Sequence, residues 1–443
     1  MEKNIYAETF PRLTVFWKKF GILTVLSIFF LIAAVPSNCS NEAEKSVLKI
    51  IAEINEAEST NEKTIKSVYK NYFLVGNIVE LRDFRNGNLR TLIKHFDIIT
   101  PSNLLKPDVL APEKHNLNFL ITDQVVNALL LADLKVHGHT LVWSHWVTPK
   151  WFSSMTWREG SPGYWVKGRS YSREQAVANM TNYVKNVIRH YKGRIFSWDV
   201  VNEAIAVFPS RGAGRNDTWQ NALPDSGMLG EWMAWIQAIG PEYVELAFMA
   251  AREADPDLIL YYNDDYTPEK PPSQDNRFMG IYKLIKDINE RYPNYNNSGR
   301  PLIDGVGIQS HFGVNANPEY MRQALNMLLE LNLKEIAISE LDILGREMKP
   351  GDPDPYTLNR RPPLNEEEAL NQGRLYAKMF RVFKQFAAAN PGKLKRVTIW
   401  GLEDNESWGR YYCPLLFDDN FKPKPAFYAV LDPDGFLAEH GER

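Results

Sequence analysis

Two glutamates in this sequence follow apolar, strand-like runs and could act as a pair. Val200 and Val201 predict a buried strand that ends at Glu203, and residues 335–338 predict a second one that ends near Glu340. Each carboxylate taken alone could cap a helix or join a salt bridge. Two carboxylates at the strand ends of one barrel, however, are the groups that hydrolysis of a glycosidic bond requires.

The two glutamates can be assigned complementary roles. In a retaining mechanism one carboxyl group donates a proton and its partner attacks the anomeric carbon, with the two groups about 5.5 Å apart. We assign Glu203 as acid/base and Glu340 as nucleophile, because an ionised nucleophile nearby would keep Glu203 protonated. Asn202 directly precedes Glu203 and could bind the sugar 2-hydroxyl.

A histidine near these runs could orient the nucleophile. Gln309 and His311 share one face of a predicted strand because side chains alternate with a period of two. An imidazole between Glu340 and Asp342 would hold the charge of the nucleophile. The alternative is that His311 is a satisfied core histidine.

His137 and His139 share a face of the third strand and could ligate a metal ion. Few other histidines lie near strand ends, so we expect no metal and place His139 in the cleft beside Trp143. Asn263 ends the fifth strand and is expected to face the same cleft, although it could simply begin a loop. Trp400 and Trp408 could form a platform for a sugar ring.

Composition limits the protein class. The chain has 443 residues, 24% charged, with a net charge of −3, so nothing indicates a nucleic-acid partner.

Lys18 and Lys19 precede an uncharged run over residues 20–35, which is typical of a secretory signal. Cys39 stands where a lipoprotein would be lipidated, so the alternatives are cleavage, lipidation or a retained anchor. Cys413 is the only other cysteine, so no disulfide is expected in the mature chain.

Strand-like runs alternate with helical patterns from about residue 70 onward, which predicts an α/β fold, a (β/α)8 TIM barrel. The predicted strands are residues 72–77, 96–100, 135–143, 195–202, 258–263, 304–309, 335–340 and 396–400. The helical patterns include residues 123–134, 173–191, 242–254, 318–331 and 370–389. Long βα loops over 207–232 and 345–363 are expected to form the substrate cleft.

With these residues assembled, the chain resembles glycoside hydrolase family 10, the endo-β-1,4-xylanases, over about residues 62–435. The matching runs are 138–143, 198–203, 304–311, 339–342, 400–401 with 407–408, and 415–417 with 422–426. The resemblance implies retaining, endo-acting hydrolysis of β-1,4-xylan by a monomer, without a cofactor. It also implies that the following residues surround the sugar next to the cut: His139, Trp143, Asn202, Gln309, His311, Trp400 and Trp408.

The chain departs from the family pattern at the non-reducing side of the cleft. Asn103 and Lys106 remain as substrate-binding candidates, but Ser102 and Pro107 stand where the family has Glu and Trp. The segment 144–147 also differs, and Asp265 is an extra residue after Asn-Asp. Losing the carboxylate at position 102 predicts weaker sugar binding there.

These patterns divide the chain into a signal or anchor over 1–40, a polar linker or helix over 41–61, the barrel over 62–435 and a tail over 436–443. We expect an exported protein whose partner is xylan or a related β-glycan and whose membrane contact is limited to the N-terminal segment. The remaining alternatives are a retaining enzyme for a different β-glycan, a non-catalytic carbohydrate-binding relative, and a metal-dependent hydrolase that uses His137 and His139.

Overall fold

Eight parallel strands close into a barrel, because the first strand pairs with both the second and the last. The structure is a computed structural model that describes residues 47–51, 53, 63–113, 116–143, 155–157, 165–167, 171–205, 218–223, 234–349 and 362–442. The strands are β1 (Leu74–Val79), β2 (Ile98–Pro101), β3 (Lys135–Gly138), β4 (Ser197–Asn202), β5 (Ile259–Asp264), β6 (Gly305–Ile308), β7 (Glu335–Ile343) and β8 (Leu394–Ile399). The predicted (β/α)8 fold is confirmed.

A helix follows every strand along the chain. These helices are α1 (Asn88–His95), α2 (Leu120–Leu131), α3 (Arg173–Tyr191), α4 (Tyr243–Ala254), α5 (Asn276–Arg291), α6 (Pro318–Leu329), α7 (Glu366–Ala389) and α8 (Pro425–Leu431), and α9 (Pro433–His440) comes last. Shorter helical segments are Ile65–Tyr69, Asp83–Asn86, Pro107–Leu110, Trp219–Ala222, Ala234–Ala238, Pro272–Gln274, Tyr295–Asn297, Asp404–Glu406 and Arg410–Tyr412. Within the described ranges, no helix has the length and apolarity needed to span a bilayer.

Helix ends depart from the predicted ones where capping residues decide them. α7 begins before the predicted residue 370 because Asn365 and Glu368 form a reciprocal capping box. α2 ends before the predicted residue 134, and Asp133 just beyond it has a left-handed φ of 58°. α3 matches its prediction, since Ser172 and Gln175 form the same kind of box.

The apolar core lies between the barrel and the helices. Helix α7 contributes Tyr376, Phe380 and Phe383 to it, all with no exposed surface. The inside of the barrel is more polar, since Asp199 and Arg396 are both buried there. Polar groups inside a barrel need partners, and Arg396 lies 3.9 Å from Asp199 and 2.8 Å from His137.

Additional short strands extend the barrel at its C-terminal face. Val142–Trp143 pairs with β4, and His311–Phe312 pairs with β7. A separate antiparallel hairpin joins Met155–Trp157 to Trp165–Lys167. The predicted signal over 1–40 and the variant segment 144–147 lie outside the described residues, as do most of the predicted loops over 207–232 and 345–363.

Candidate active site

A bulge in β4 allows Asp199 and Asn202, which are three positions apart, both to face the barrel interior. Asp199 pairs with Tyr261 and Val201 with Tyr262, so the strand contains one extra residue. As a result, Asp199 reaches His139 at 2.9 Å, while the Oδ1 atom of Asn202 accepts a 2.8 Å hydrogen bond from Asn263. Strict alternation would have sent one of these two side chains outward.

β7 has a similar irregularity between Ile338 and Leu341. The consecutive residues Ser339 and Glu340 therefore contact the same side chain, that of Asn263. The Ser339 hydroxyl donates to its Oδ1 atom at 2.6 Å, and its Nδ2 atom donates to Glu340 Oε1 at 2.7 Å. Asn263 thus joins β4, β5 and β7 at the mouth of the barrel.

Gly307 makes the position of Asn263 sterically available. A Cβ atom at residue 307 would lie 2.3 Å from Asn263 Oδ1, which is closer than real Cβ contacts come. The glycine on β6 is therefore required by this side chain on the neighbouring strand rather than by its own backbone conformation.

Glu203 directly follows β4 and is held by groups from three other segments. Gln309 donates to its Oε1 atom at 2.7 Å, Trp143 donates to its Oε2 atom at 3.1 Å, and its backbone N–H donates to the Asn263 carbonyl at 2.9 Å. Burial raises the pKa of Glu203, and the nearby carboxylates of Asp264 and Glu340 raise it further, against the effect of Arg277. A carboxyl group with a raised pKa is suited to donate a proton.

Glu340 lies in the opposite electrostatic environment. It is 5% exposed, and burial alone would raise its pKa. The hydrogen bond from His311 and the nearby His139 outweigh that effect and lower the pKa of Glu340 below its ordinary value. A buried carboxylate that stays ionised is suited to act as a nucleophile.

His311 bridges two carboxylates. Its Nδ1 atom lies 3.0 Å from Asp342 Oδ2, and its Nε2 atom lies 3.3 Å from Glu340 Oε2. Burial alone would lower the pKa of His311, but Asp342 and Glu340 raise it well above its ordinary value. Trp408 donates a 2.6 Å hydrogen bond to Asp342, which holds this carboxylate against His311.

His137 and His139 both bind Asp199. His139 Nδ1 lies 2.9 Å and His137 Nε2 lies 3.1 Å from Asp199 Oδ2. Arg396 approaches His137 Nε2 at 2.8 Å, and burial together with this guanidinium lowers the pKa of His137 to about 4. Among the described residues, no group of three His, Cys, Asp or Glu side chains is arranged to hold a metal ion. The two histidines therefore share the carboxylate of Asp199, and this contact fixes the orientation of the His139 ring in the cleft.

Aromatic and basic side chains surround the carboxylates. Trp143, Trp400 and Trp408 are all partly exposed, and the ring of His139 meets that of Trp400 edge-on at 5.4 Å. Lys106 Nζ lies 5.1 Å from the centre of the Trp143 ring. The structure thus gathers the predicted side chains around one opening: Asn103, Lys106, His139, Trp143, Asn202, Glu203, Asn263, Gln309, His311, Glu340, Asp342, Trp400 and Trp408.

The sequence did not predict the ion pair that lies beside Glu203. Arg277 on α5 binds Asp264 at 2.7 Å and Asp265 at 3.3 Å, and it acts on the pKa of Glu203. Asp264 ends β5 and Asp265 follows it, directly after Asn263, which was a usable signal. Nothing in the sequence around Arg277 marked it, because it lies on a helix and reaches the site only through the fold.

Glu80 was also missed. It directly follows β1, and it accepts hydrogen bonds from Ser102 and Asn103. The signal was available, because a glutamate follows this strand as Glu203 follows β4. The predicted strand ended at Asn77, which left Glu80 in a loop.

The arrangement supports a displacement at a sugar carbon. It offers one carboxyl group with a raised pKa and one with a lowered pKa. Asn202 lies between them: its Oδ1 atom accepts from Asn263 and Gln309, and its Nδ2 atom donates to no described residue. That amide N–H is available to a ligand hydroxyl.

Known proteins match this chain over most of its length. The profile of glycosyl hydrolase family 10 matches residues 64–433. Endo-1,4-beta-xylanase A of Caldicellulosiruptor sp. is 32% identical over 368 residues, which cover 82% of this chain and 47% of that protein. The Beta-1,4-xylanase of Dictyoglomus thermophilum is 31% identical over 85% of this chain and 92% of its own length.

A solved structure shows the same similarity. A GH10 xylanase from termite gut that contains a bacterial Ig-like domain superposes with a TM-score of 0.69 at 30% identity, over 86% of this chain and 79% of that one. The chain spans about half, or less, of the length of several of the xylanases that it matches. The family match covers most of the chain, including both glutamates at the barrel mouth. The chain therefore belongs to glycosyl hydrolase family 10.

Proposed function

We propose that this protein is an endo-acting, retaining hydrolase of β-1,4-xylosidic bonds in xylan. The observation that carries the proposal is the pair of carboxyl groups with opposite pKa shifts at one barrel mouth, Glu203 raised and Glu340 lowered. Relatives that are named as xylanases and match over most of this chain support xylan as the substrate.

The first step forms a covalent intermediate. A carboxylate oxygen of Glu340 attacks the anomeric carbon, and the bond from that carbon to the leaving oxygen breaks. Glu203 transfers its proton to the leaving oxygen. Meanwhile the N–H of Asn202 donates to the sugar 2-hydroxyl, whose interactions strengthen in the transition state.

The second step releases the sugar. Glu203, now ionised, takes a proton from a water molecule, and the water oxygen attacks the anomeric carbon. The bond to Glu340 breaks, which restores both carboxyl groups to their starting states. His311 and Asn263 stabilise the returning charge on Glu340 through contacts of 3.3 Å and 2.7 Å.

The test is product analysis with the full chain. The wild type and Glu340→Ala are incubated with linear xylan, arabinoxylan, glucuronoxylan and β-glucan, and the products are separated by size. We expect oligosaccharides from the xylans only, and none with Glu340→Ala. Products from β-glucan alone would instead identify a retaining enzyme for a different β-glycan. Binding of xylan without products would identify a non-catalytic relative.

We also propose that the protein is exported and that residues 62–435 form its catalytic domain. The support for export is the basic pair Lys18-Lys19, the uncharged run over 20–35 and the cysteine at position 39. Mass spectrometry of the mature protein from its host tests this proposal. Cleavage before Cys39 with an added lipid would identify a lipoprotein, whereas an uncleaved N-terminus would contradict removal of a signal.

A further inference from the structure

Glu80 is a carboxylate at the barrel mouth that has no part in the two steps above. It follows Val79, the last residue of β1, and its backbone N–H donates to Asp83 at 2.7 Å. Its side chain is partly exposed. At the C-terminal face of a (β/α)8 barrel, residues that directly follow strands line the substrate cleft.

The carboxylate is held in place from one side only. Its Oε1 atom accepts hydrogen bonds from the hydroxyl of Ser102 and from Asn103 Nδ2, the latter at 2.7 Å. Ser102 is 4% exposed, so its hydroxyl is committed to this contact. Within the described part of the chain, no group donates to Oε2. One oxygen is therefore fixed by the protein, and the other keeps its capacity to accept.

Glu80 is linked to the proton donor by a short series of contacts. Lys106 Nζ donates to Asn103 Oδ1 at 2.8 Å and lies 5.1 Å from the centre of the Trp143 ring. Trp143 in turn donates to Glu203 at 3.1 Å. Glu80 thus lies on the Trp143 side of the cleft, with Asn103 and Lys106 between it and the aromatic ring.

We propose that Glu80 binds the second sugar unit on the Trp143 side of the cut, where its Oε2 atom accepts hydrogen bonds from sugar hydroxyls. The proposal rests on the proposed function and specifies one subsite within it. A carboxylate beside an ammonium group offers both an acceptor and a donor to neighbouring hydroxyls. The sequence predicted weaker binding here because Ser102 replaces a glutamate, but Glu80 brings a carboxylate to that place from the neighbouring strand.

Two aryl glycosides separate this subsite from the reaction centre. 4-Nitrophenyl β-xyloside fills only the sugar position next to the cut, whereas 4-nitrophenyl β-xylobioside also fills the second one. We expect Glu80→Ala to lower kcat/KM for the xylobioside about tenfold or more, since hydrogen bonds to charged groups contribute that much. The xyloside should change less than about twofold, because its contacts with Glu203 and Glu340 remain.

Matched variants guard against a structural effect. Glu80→Gln keeps the shape and one acceptor and should lose less than Glu80→Ala. The exchange Glu80→Ser with Ser102→Glu returns one carboxylate to the same place and should recover part of the xylobioside rate. Ser102→Glu alone places the new carboxylate beside that of Glu80, so the two repel each other and the xylobioside rate should not improve. Glu330→Gln, on an exposed residue at the end of α6, is the control.

Either of two outcomes overturns the proposal: an unchanged xylobioside rate in Glu80→Ala, or equal losses on both substrates. Calorimetry in a Glu340→Ala background gives a readout that is independent of turnover, with a Kd for xylotriose that should rise about tenfold when Glu80 is also removed. If wild type turns over neither glycoside but this Kd shift is found, the proposed hydrolysis fails and the Glu80 subsite stands. If the Glu340→Ala parent binds no xylotriose, both proposals fail.

Discussion

His311 Nε2 lies 3.3 Å from Oε2 of Glu340, and it is the contact that does most to keep this buried carboxylate ionised. The other ring nitrogen of His311 is bound to Asp342, so the imidazole cannot turn away from Glu340 without losing a partner. The charge of Glu340 therefore depends on His311 and, through His311, on Asp342.

The opposite pKa shifts predict a broad bell-shaped pH profile. Glu340 must be ionised, so activity should fall only below the ordinary pKa of a glutamate, because that of Glu340 is lowered. Glu203 must be protonated, so activity should fall on the alkaline side above the ordinary value, because that of Glu203 is raised. Measurement of kcat/KM against pH on xylotetraose, whose sugar leaving group needs the proton of Glu203, checks both limbs. A profile with an alkaline limit at or below the ordinary glutamate pKa would contradict the acid/base assignment.

Asp342→Asn should move the acid limb to higher pH. Without the carboxylate that raises its pKa, His311 loses much of its positive charge near neutral pH, and the pKa of Glu340 then rises. The readout is the pH profile of kcat/KM. Asp434→Asn, on an exposed residue of α9, serves as the control. An unshifted acid limb in Asp342→Asn would show that His311 acts on Glu340 without Asp342.

Loss of each glutamate should affect a different step. Glu340→Ala should reduce turnover of every substrate to background, because no covalent intermediate forms. Glu203→Ala should retain the first step on substrates with good leaving groups, which need no proton, and should slow the second step. Pre-steady-state kinetics with an aryl xylobioside checks this through a burst of released phenol. Full activity in Glu340→Ala would refute its assignment as nucleophile.

Gly307→Ala should impair turnover without unfolding the barrel. The added methyl group would meet Asn263 Oδ1 at 2.3 Å and displace the amide that binds both Asn202 and Glu340. We expect a loss of at least about tenfold in kcat, since small misplacements of catalytic groups are costly. Steady-state kinetics and circular dichroism together distinguish this local effect from a loss of fold. A variant with wild-type kcat would show that Asn263 does not position Glu340.

Asp304→Ala should destabilise the barrel. Asp304 is 1% exposed, binds Arg252 at 2.6 Å and accepts the backbone N–H of Leu260 at 2.9 Å. Its removal leaves a buried guanidinium without its charged partner, which costs roughly 3–5 kcal/mol. Thermal and urea denaturation measure the change. Asp257→Ala, on an exposed residue in the connection between α4 and β5, is the control and should fall within about 0.5 kcal/mol of wild type.

The sequence by itself determined the barrel and the ends of several strands. The apolar runs before Glu203 and Glu340 are local signals, because a buried parallel strand needs continuous β-branched and aliphatic residues. The capping pair Ser172 and Gln175 likewise fixed the beginning of α3 from residues three positions apart. Such features depend on neighbours in the chain, so they can be predicted from it.

Only the tertiary structure decided which side chains meet. The bulges in β4 and β7 break the period of two, so alternation could not have placed both Asp199 and Asn202 inside the barrel. Arg277 and Glu80 reach the cleft from a helix and from a neighbouring strand, through contacts with residues distant in the chain. Local patterns report which face of an element is buried, but contacts between elements depend on register and closure of the whole barrel.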